Sequence, residues 1–199
     1  MAYLLSRGRS CSRTVAIGVD PLKSLTTGIN NIAIGEATAD ALTTGICNIA
    51  VGINSLGAST TGCLNIAIGD LALGGAVTTG KCNIAIGTNA ADAITSGLDN
   101  VAIGTDALGA STTGCRNVAI GKTALGAAAT EGVDNIAIGA SSMDALTTGL
   151  CNVALGASAL STSTTGCFNV AVGYSALGGA DTTSIHNVCL LYTSDAADE

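Results

Sequence analysis

An all-β parallel solenoid (β-roll or β-helix) is the fold class this chain predicts, and three observations predict it. A phrase of the form Asn-Ile/Val-Ala-Ile/Val-Gly returns eleven times. Its first residue falls at Thr14, Asn31, Asn48, Asn65, Asn83, Asn100, Asn117, Asn135, Asn152, Asn169 and Asn187. The steps are 17 or 18 residues, ordered as 17+17+18, so that a 52-residue super-repeat spans three coils; Asp40, Asp92 and Asp144 follow it, as do Cys63, Cys115 and Cys167. Glycine recurs in two fixed columns, one closing the phrase and one closing a Thr-Thr-Gly phrase. A period this short holds one solenoid coil and no more. Ten to eleven coils stacked about 4.8 Å apart make a rod of roughly 50 Å.

Positions are counted from the Asn of each coil as 0. Positions +1 and +3 are Ile, Val or Leu in every coil, from Val15 and Ile17 to Val188 and Leu190. They share a parity on an extended segment, so both point the same way, and the reading assigns that face to the core. Position +2 lies on the opposite face and holds Ala33, Ala50, Ala67, Ala85, Ala102, Ala119, Ala137, Ala154 and Ala171. A solvated strand face varies and favours Thr or charge. A column held at one methyl therefore implies close cover, either by another chain or by the opposite wall of the same coil, and these nine Ala are the candidate association face.

Position −2 (Ile29, Ile46, Cys63, Lys81, Leu98, Cys115, Val133, Leu150, Cys167, Ile185) reads as inward apart from Lys81, and position −1 as a mixed outward column. Inward residues at −2 and +1 have different parity, so the chain turns at or beside Asn. Asn tolerates left-handed geometry and bonds to nearby backbone. Stacked one per coil, Asn31, Asn48, Asn65, Asn83, Asn100, Asn117, Asn135, Asn152, Asn169 and Asn187 are expected to form an amide ladder.

The repeat domain spans residues 14–188, preceded by a non-repeat segment, 1–13, and followed by an off-pattern tail, 189–199, in which Cys189 replaces Ala and Leu191 replaces Gly. That tail resembles the translated adapter sequence that closes some truncated environmental reading frames. In residues 1–13 only Tyr3-Leu4-Leu5 is an apolar run, too short for a signal-peptide core.

Composition narrows function. Charged residues are 11% and aromatics 2%, which leaves no large-ring core, and Gly, Thr and Asn interrupt every apolar run before it reaches membrane-spanning length. With 14 acidic against 7 basic residues, the repeats carry no basic stripe for nucleic acid. His186 is the single histidine and reads as a surface residue. The Asp40, Asp92, Asp144 series is spread about 14 Å per step, which suits a solvated turn and no acid/base pair. Cys63, Cys115 and Cys167 have the same spacing, too wide for a bridge or a shared metal, and read as small core residues. Cys47, Cys82 and Cys151 read as outward thiols able to cross-link chains. No catalytic, cofactor or metal site is expected.

Phrases such as Thr60-Thr61-Gly62-Cys63-Leu64-Asn65-Ile66-Ala67-Ile68-Gly69 resemble the repeats of trimeric autotransporter adhesin heads and related bacteriophage tail-fibre segments. The resemblance covers residues 14–188. It implies a left-handed parallel β-roll, three chains side by side, an extracellular, cell-surface or virion location, and a role in surface attachment or as a fibre shaft. This chain's coil is longer than the usual adhesin-head repeat. A second reading rests on Thr43, Thr60, Thr78, Thr95, Thr112, Thr130, Thr147 and Thr164, a rank at strand spacing that is similar to the Thr arrays of monomeric ice-binding solenoids.

Overall fold

The computed structural model describes residues 13–179, 183 and 185–191. Eleven three-residue strands follow one another: β1 Val15–Ile17, β2 Ile32–Ile34, β3 Ile49–Val51, β4 Ile66–Ile68, β5 Ile84–Ile86, β6 Val101–Ile103, β7 Val118–Ile120, β8 Ile136–Ile138, β9 Val153–Leu155, β10 Val170–Val172 and β11 Val188–Leu190. They form one parallel sheet in sequence order. Each strand pairs residue for residue with the next, Ala85 with Ala102 and Ala102 with Ala119. The chain is a β-solenoid, as its period predicts.

The faces of the sheet are the reverse of the sequence expectation. Ala33, Ala50, Ala67, Ala85, Ala102, Ala119, Ala137, Ala154 and Ala171 are completely buried inside the chain's own coils, whereas Ile34, Ile68, Ile86 and Ile103 are 36–39% exposed. The Ala column is therefore the inner wall, and the candidate association face assigned to it is corrected: these methyls meet the opposite wall of the same coil. That wall is made by position +8 (Leu56, Leu73, Leu108, Leu125, Met143, Leu160) and by the residue six before the next Asn (Leu42, Ile94, Leu146), all fully buried. A 17-residue coil is thin, and with leucines on one side only a methyl fits on the other.

The super-repeat has a packing cause. Where +8 is small, as at Ala39 and Ala91, the second inward position is Leu42 or Ile94; where +8 is Leu56, Leu108 or Leu160, it is Ser59, Ser111 or Ser163. In the 18-residue coils the extra residue swings Thr78 and Thr130 inward to partner Leu73 and Leu125. Interior volume thus stays nearly constant in these coils, as close packing without voids requires; the coil of Met143 and Leu146, with two large inward residues, is the exception.

The expected turn beside Asn is present, but it lies one residue earlier. Asn30, Cys47, Leu64, Cys82, Asp99, Arg116, Asp134, Cys151, Phe168 and His186 all have φ between 55° and 63°. This resolves the parity conflict, because positions −2 and +1 both face outward. Ile46, Leu98 and Leu150 are exposed, and Cys63, Cys115 and Cys167 are half-buried. Those cysteines do not sit in the core; Cys63 and Cys115 donate their thiols to the carbonyls of Thr61 and Thr113 at 3.3 Å. At the other strand end Gly104 has φ 133°, and a Cβ there would lie 2.6 Å from the Gly121 carbonyl oxygen, so that corner admits only glycine.

The Asn ladder forms as predicted. Asn83 Oδ1 accepts from the Asn100 backbone N–H and from Asn100 Nδ2, both at 3.0 Å, while Asn100 Nδ2 also donates to the Gly114 carbonyl at 2.7 Å. The Oδ1 acceptance recurs at every step from Asn31–Asn48 to Asn169–Asn187. Strand geometry persists to Leu190, because Cys189 fits the inward position that Ala holds elsewhere. Residues 1–12 and 192–199, parts of the two off-pattern segments, lie outside the described residues.

Candidate association face

Inward Ala forces the aliphatic residues outward. The outer face of the sheet carries two columns, Val15 to Val188 at +1 and Ile17 to Leu190 at +3, and every position in both is Ile, Val or Leu. The strands repeat at about 4.8 Å and the columns stand about 7 Å apart. No charged or hydrogen-bonding side chain interrupts either column over eleven strands. Most of the other exposed large apolar side chains border this face: Leu64 and Phe168 at −1, Ile46, Leu98, Leu150 and Ile185 at −2, and Val19, Ile53 and Tyr174 at +5.

The sequence held the signal for this face. Asn at 0 and Ala at +2 share a parity, and an invariant ladder amide belongs where water cannot compete for it. Placing the amides inside places Ala inside and Ile/Val outside.

The charged residues nearest this face lie on its borders. Arg116 and Asp134 at position −1 of adjacent coils form a bidentate pair, Nε to Oδ1 at 2.7 Å and Nη2 to Oδ2 at 3.0 Å. Hydrogen bonding to Asp134 raises the Arg116 guanidinium pKa, and the same bond lowers that of the Asp134 carboxyl. Both groups are solvent-exposed, so the pair contributes little to stability. Phe168 and His186 stack in the same column with ring centroids 5.2 Å apart.

The Thr residues singled out in the sequence do not form one free rank. Thr78 and Thr130 are buried and donate to the carbonyls of Ile94 and Leu146. Thr43, Thr95 and Thr147 donate to the carbonyls of Thr60, Thr112 and Thr164 at 2.9–3.1 Å. These hydroxyls tie coil to coil. The following residue, at Thr44, Thr61, Thr113, Thr148 and Thr165, is the exposed one.

Among the described residues the cysteines are free, no three His, Cys, Asp or Glu gather as a metal ligand set, and no helix is long and apolar enough to cross a membrane. Burial raises the carboxyl pKa of Asp92 and Asp144, with Asp106 adding to the effect at Asp92; Asp40 belongs to the same column three coils earlier. No protein-family model, curated protein or solved structure matches the chain.

Proposed function

We propose that this chain is a non-enzymatic structural solenoid that associates side by side with copies of itself through the Ile/Val face, as part of a fibre shaft or surface adhesin outside the cell or on a virion. The observation that carries this reading is the uncovered aliphatic sheet. Eleven strands give it a footprint of roughly 500 Å², at the upper end of what soluble monomers expose, and the apolar border residues extend it further. The resemblance of the Asn-Ile-Ala-Ile-Gly phrase to adhesin-head and tail-fibre repeats supports a trimer as the closed form. Light scattering under reducing conditions tests it. A multiple of the 19.2 kDa chain mass is expected, and a monomer at micromolar concentration overturns the proposal.

A second reading keeps the ice-binding alternative but moves it one residue. The exposed rank at Thr27, Thr44, Thr61, Thr79, Thr113, Thr148 and Thr165 stands outward, with Ser96 and Glu131 at two of its positions. Thermal hysteresis of the purified chain tests it, and its absence removes this reading.

A further inference from the structure

Ile46, Leu98, Leu150 and Ile185 at −2 are 40–57% exposed, more than Ile103 on the sheet face at 36%. They stand on a second outward face. Positions −4 and −2 flank a glycine that is buried in coil after coil, as at Gly62, Gly97 and Gly114, so both point outward. The −2 residues of successive coils bridge in parallel, Cys63 with Lys81 and Val133 with Leu150. From Ile29 to Ile185 the column is Ile, Leu, Val or Cys, broken only by Lys81, and the exposed Thr rank runs beside it. A single left-handed residue, at −1, separates this face from the Ile/Val sheet.

We infer that this second face is the other half of the contact between copies: each chain lays its Ile/Val sheet on the −2 column of the next. The inference rests on the self-association proposed above and names what covers the sheet. A patch that meets its own copy makes a twofold pair and stops there, whereas a closed ring of three or more needs two different patches on every chain. Apolar surface continues from the sheet in one direction only. Across the −1 turn it reaches Leu98 and Leu150; across the glycine corner the +5 column is broken by Glu36, Asp70 and Lys122 and by Thr88 and Thr105.

Area argues in the same direction. Two sheets laid face to face remove roughly 1,000 Å² in all, the least that a specific interface needs, and leave the −2 column in water. With two different patches in use, every chain makes two contacts of that size. Lys81 is the one charge on the covered column, and a lysine stem lies along apolar surface while its ammonium reaches water.

Paired variants of the full chain test it. Ile103→Glu spoils the sheet face and Leu98→Glu the −2 face; both positions are exposed, so the β circular dichroism of the native chain should persist. Each should weaken association by roughly tenfold or more, because its carboxylate would be buried in the contact. Mixed in equal amounts, the two should form a dimer with one chain of each kind, since one intact sheet and one intact −2 face remain to meet. Val101→Glu mixed with Ile103→Glu should not, because both lie on the sheet. The Cys115 thiol of the native oligomer should react with a maleimide roughly tenfold or more slowly than that of the Ile103→Glu chain, where the contact is lost. These thiol rates decide by themselves should Leu98→Glu fail to fold. A Leu98→Glu chain of native mass, a mixture of it with Ile103→Glu that stays monomeric, pairing of Val101→Glu with Ile103→Glu, or equal Cys115 rates overturns the two-face contact while leaving association through the Ile/Val sheet intact. A native chain that scatters as a monomer overturns both.

Discussion

Asn100 gives two hydrogens to a single acceptor, Asn83 Oδ1, from its backbone and its side chain, each at 3.0 Å. One buried carbonyl oxygen thus satisfies the amide at the start of the next strand and fixes that strand's side chain, and the relay repeats up the stack. A ladder of this kind is cooperative in the direction of the axis.

Asn100→Leu keeps the backbone bond but removes both Nδ2 bonds, to Asn83 Oδ1 and to the Gly114 carbonyl, and takes from Asn117 its buried acceptor. A loss of about 2–4 kcal/mol is expected, read as a lower urea midpoint. Because solenoid stability is close to a sum of coil and interface terms, the transition should also split into two phases around that coil.

Thr14 holds the first ladder position, and its Oγ1 is buried with no partner. Thr14→Asn would offer Asn31 the acceptor that Asn31 offers Asn48 at 3.0 and 3.1 Å. The variant should be more stable by about 1 kcal/mol; slower amide exchange in β1 and β2 is the check.

Ala102 and Ile103 are adjacent, yet they lie on opposite sides of the wall, at 0% and 36% exposure. Ala102→Glu puts a charge in the interior and should cost about 4 kcal/mol or more, with loss of β circular dichroism. Ile103→Glu should keep the dichroism and lower the mass seen by light scattering. Equal damage to the fold from both would refute the assignment of faces.

Leu71 sits at φ 55° in a column where Asn54 and Asn89 adopt φ 51° and 53°. Asn tolerates this left-handed geometry better than Leu. Leu71→Asn should therefore raise stability by about 0.5–1 kcal/mol, measured by thermal melting.

Asp92 has its carboxyl pKa raised above the unfolded value of 3.8 by burial first and by Asp106 second. A carboxyl with a raised folded pKa is a burden when ionised, so its contribution to stability is fully favourable below 3.8 and is lost as pH rises through the folded pKa. Asp92→Asn should stabilise the chain at neutral pH and flatten the acid side of the stability profile. Urea midpoints at pH 4 and pH 7 check both signs.

The period, the parallel stacking and the Asn ladder were legible in the sequence because each follows from repetition alone. Which side of the strand faces inward was not, because the usual rule that Ile is buried and Ala indifferent fails for so thin a coil. Ile103 lies outside because Leu108 already fills the space opposite Ala102. The left-handed turn was placed correctly beside Asn but assigned to the wrong residue; residues as different as Phe168, Arg116 and Cys47 share it, since the stacked backbone dictates that conformation and composition does not reveal it. The Thr column read as one surface because every member has the same letter, whereas the extra residue in each third coil turns Thr78 and Thr130 inward.

The compensation between Ala39 and Leu42, Leu56 and Ser59, and Leu73 and Thr78 closes after three coils. Apart from the coil of Met143 and Leu146, a block of 52 residues is therefore the smallest length of chain that can be excised or duplicated with each new neighbour meeting an equivalent cross-section. Rod length can then change in increments of about 14 Å by copying alone, with no side chain redesigned, so the span of the molecule is set separately from its ability to fold.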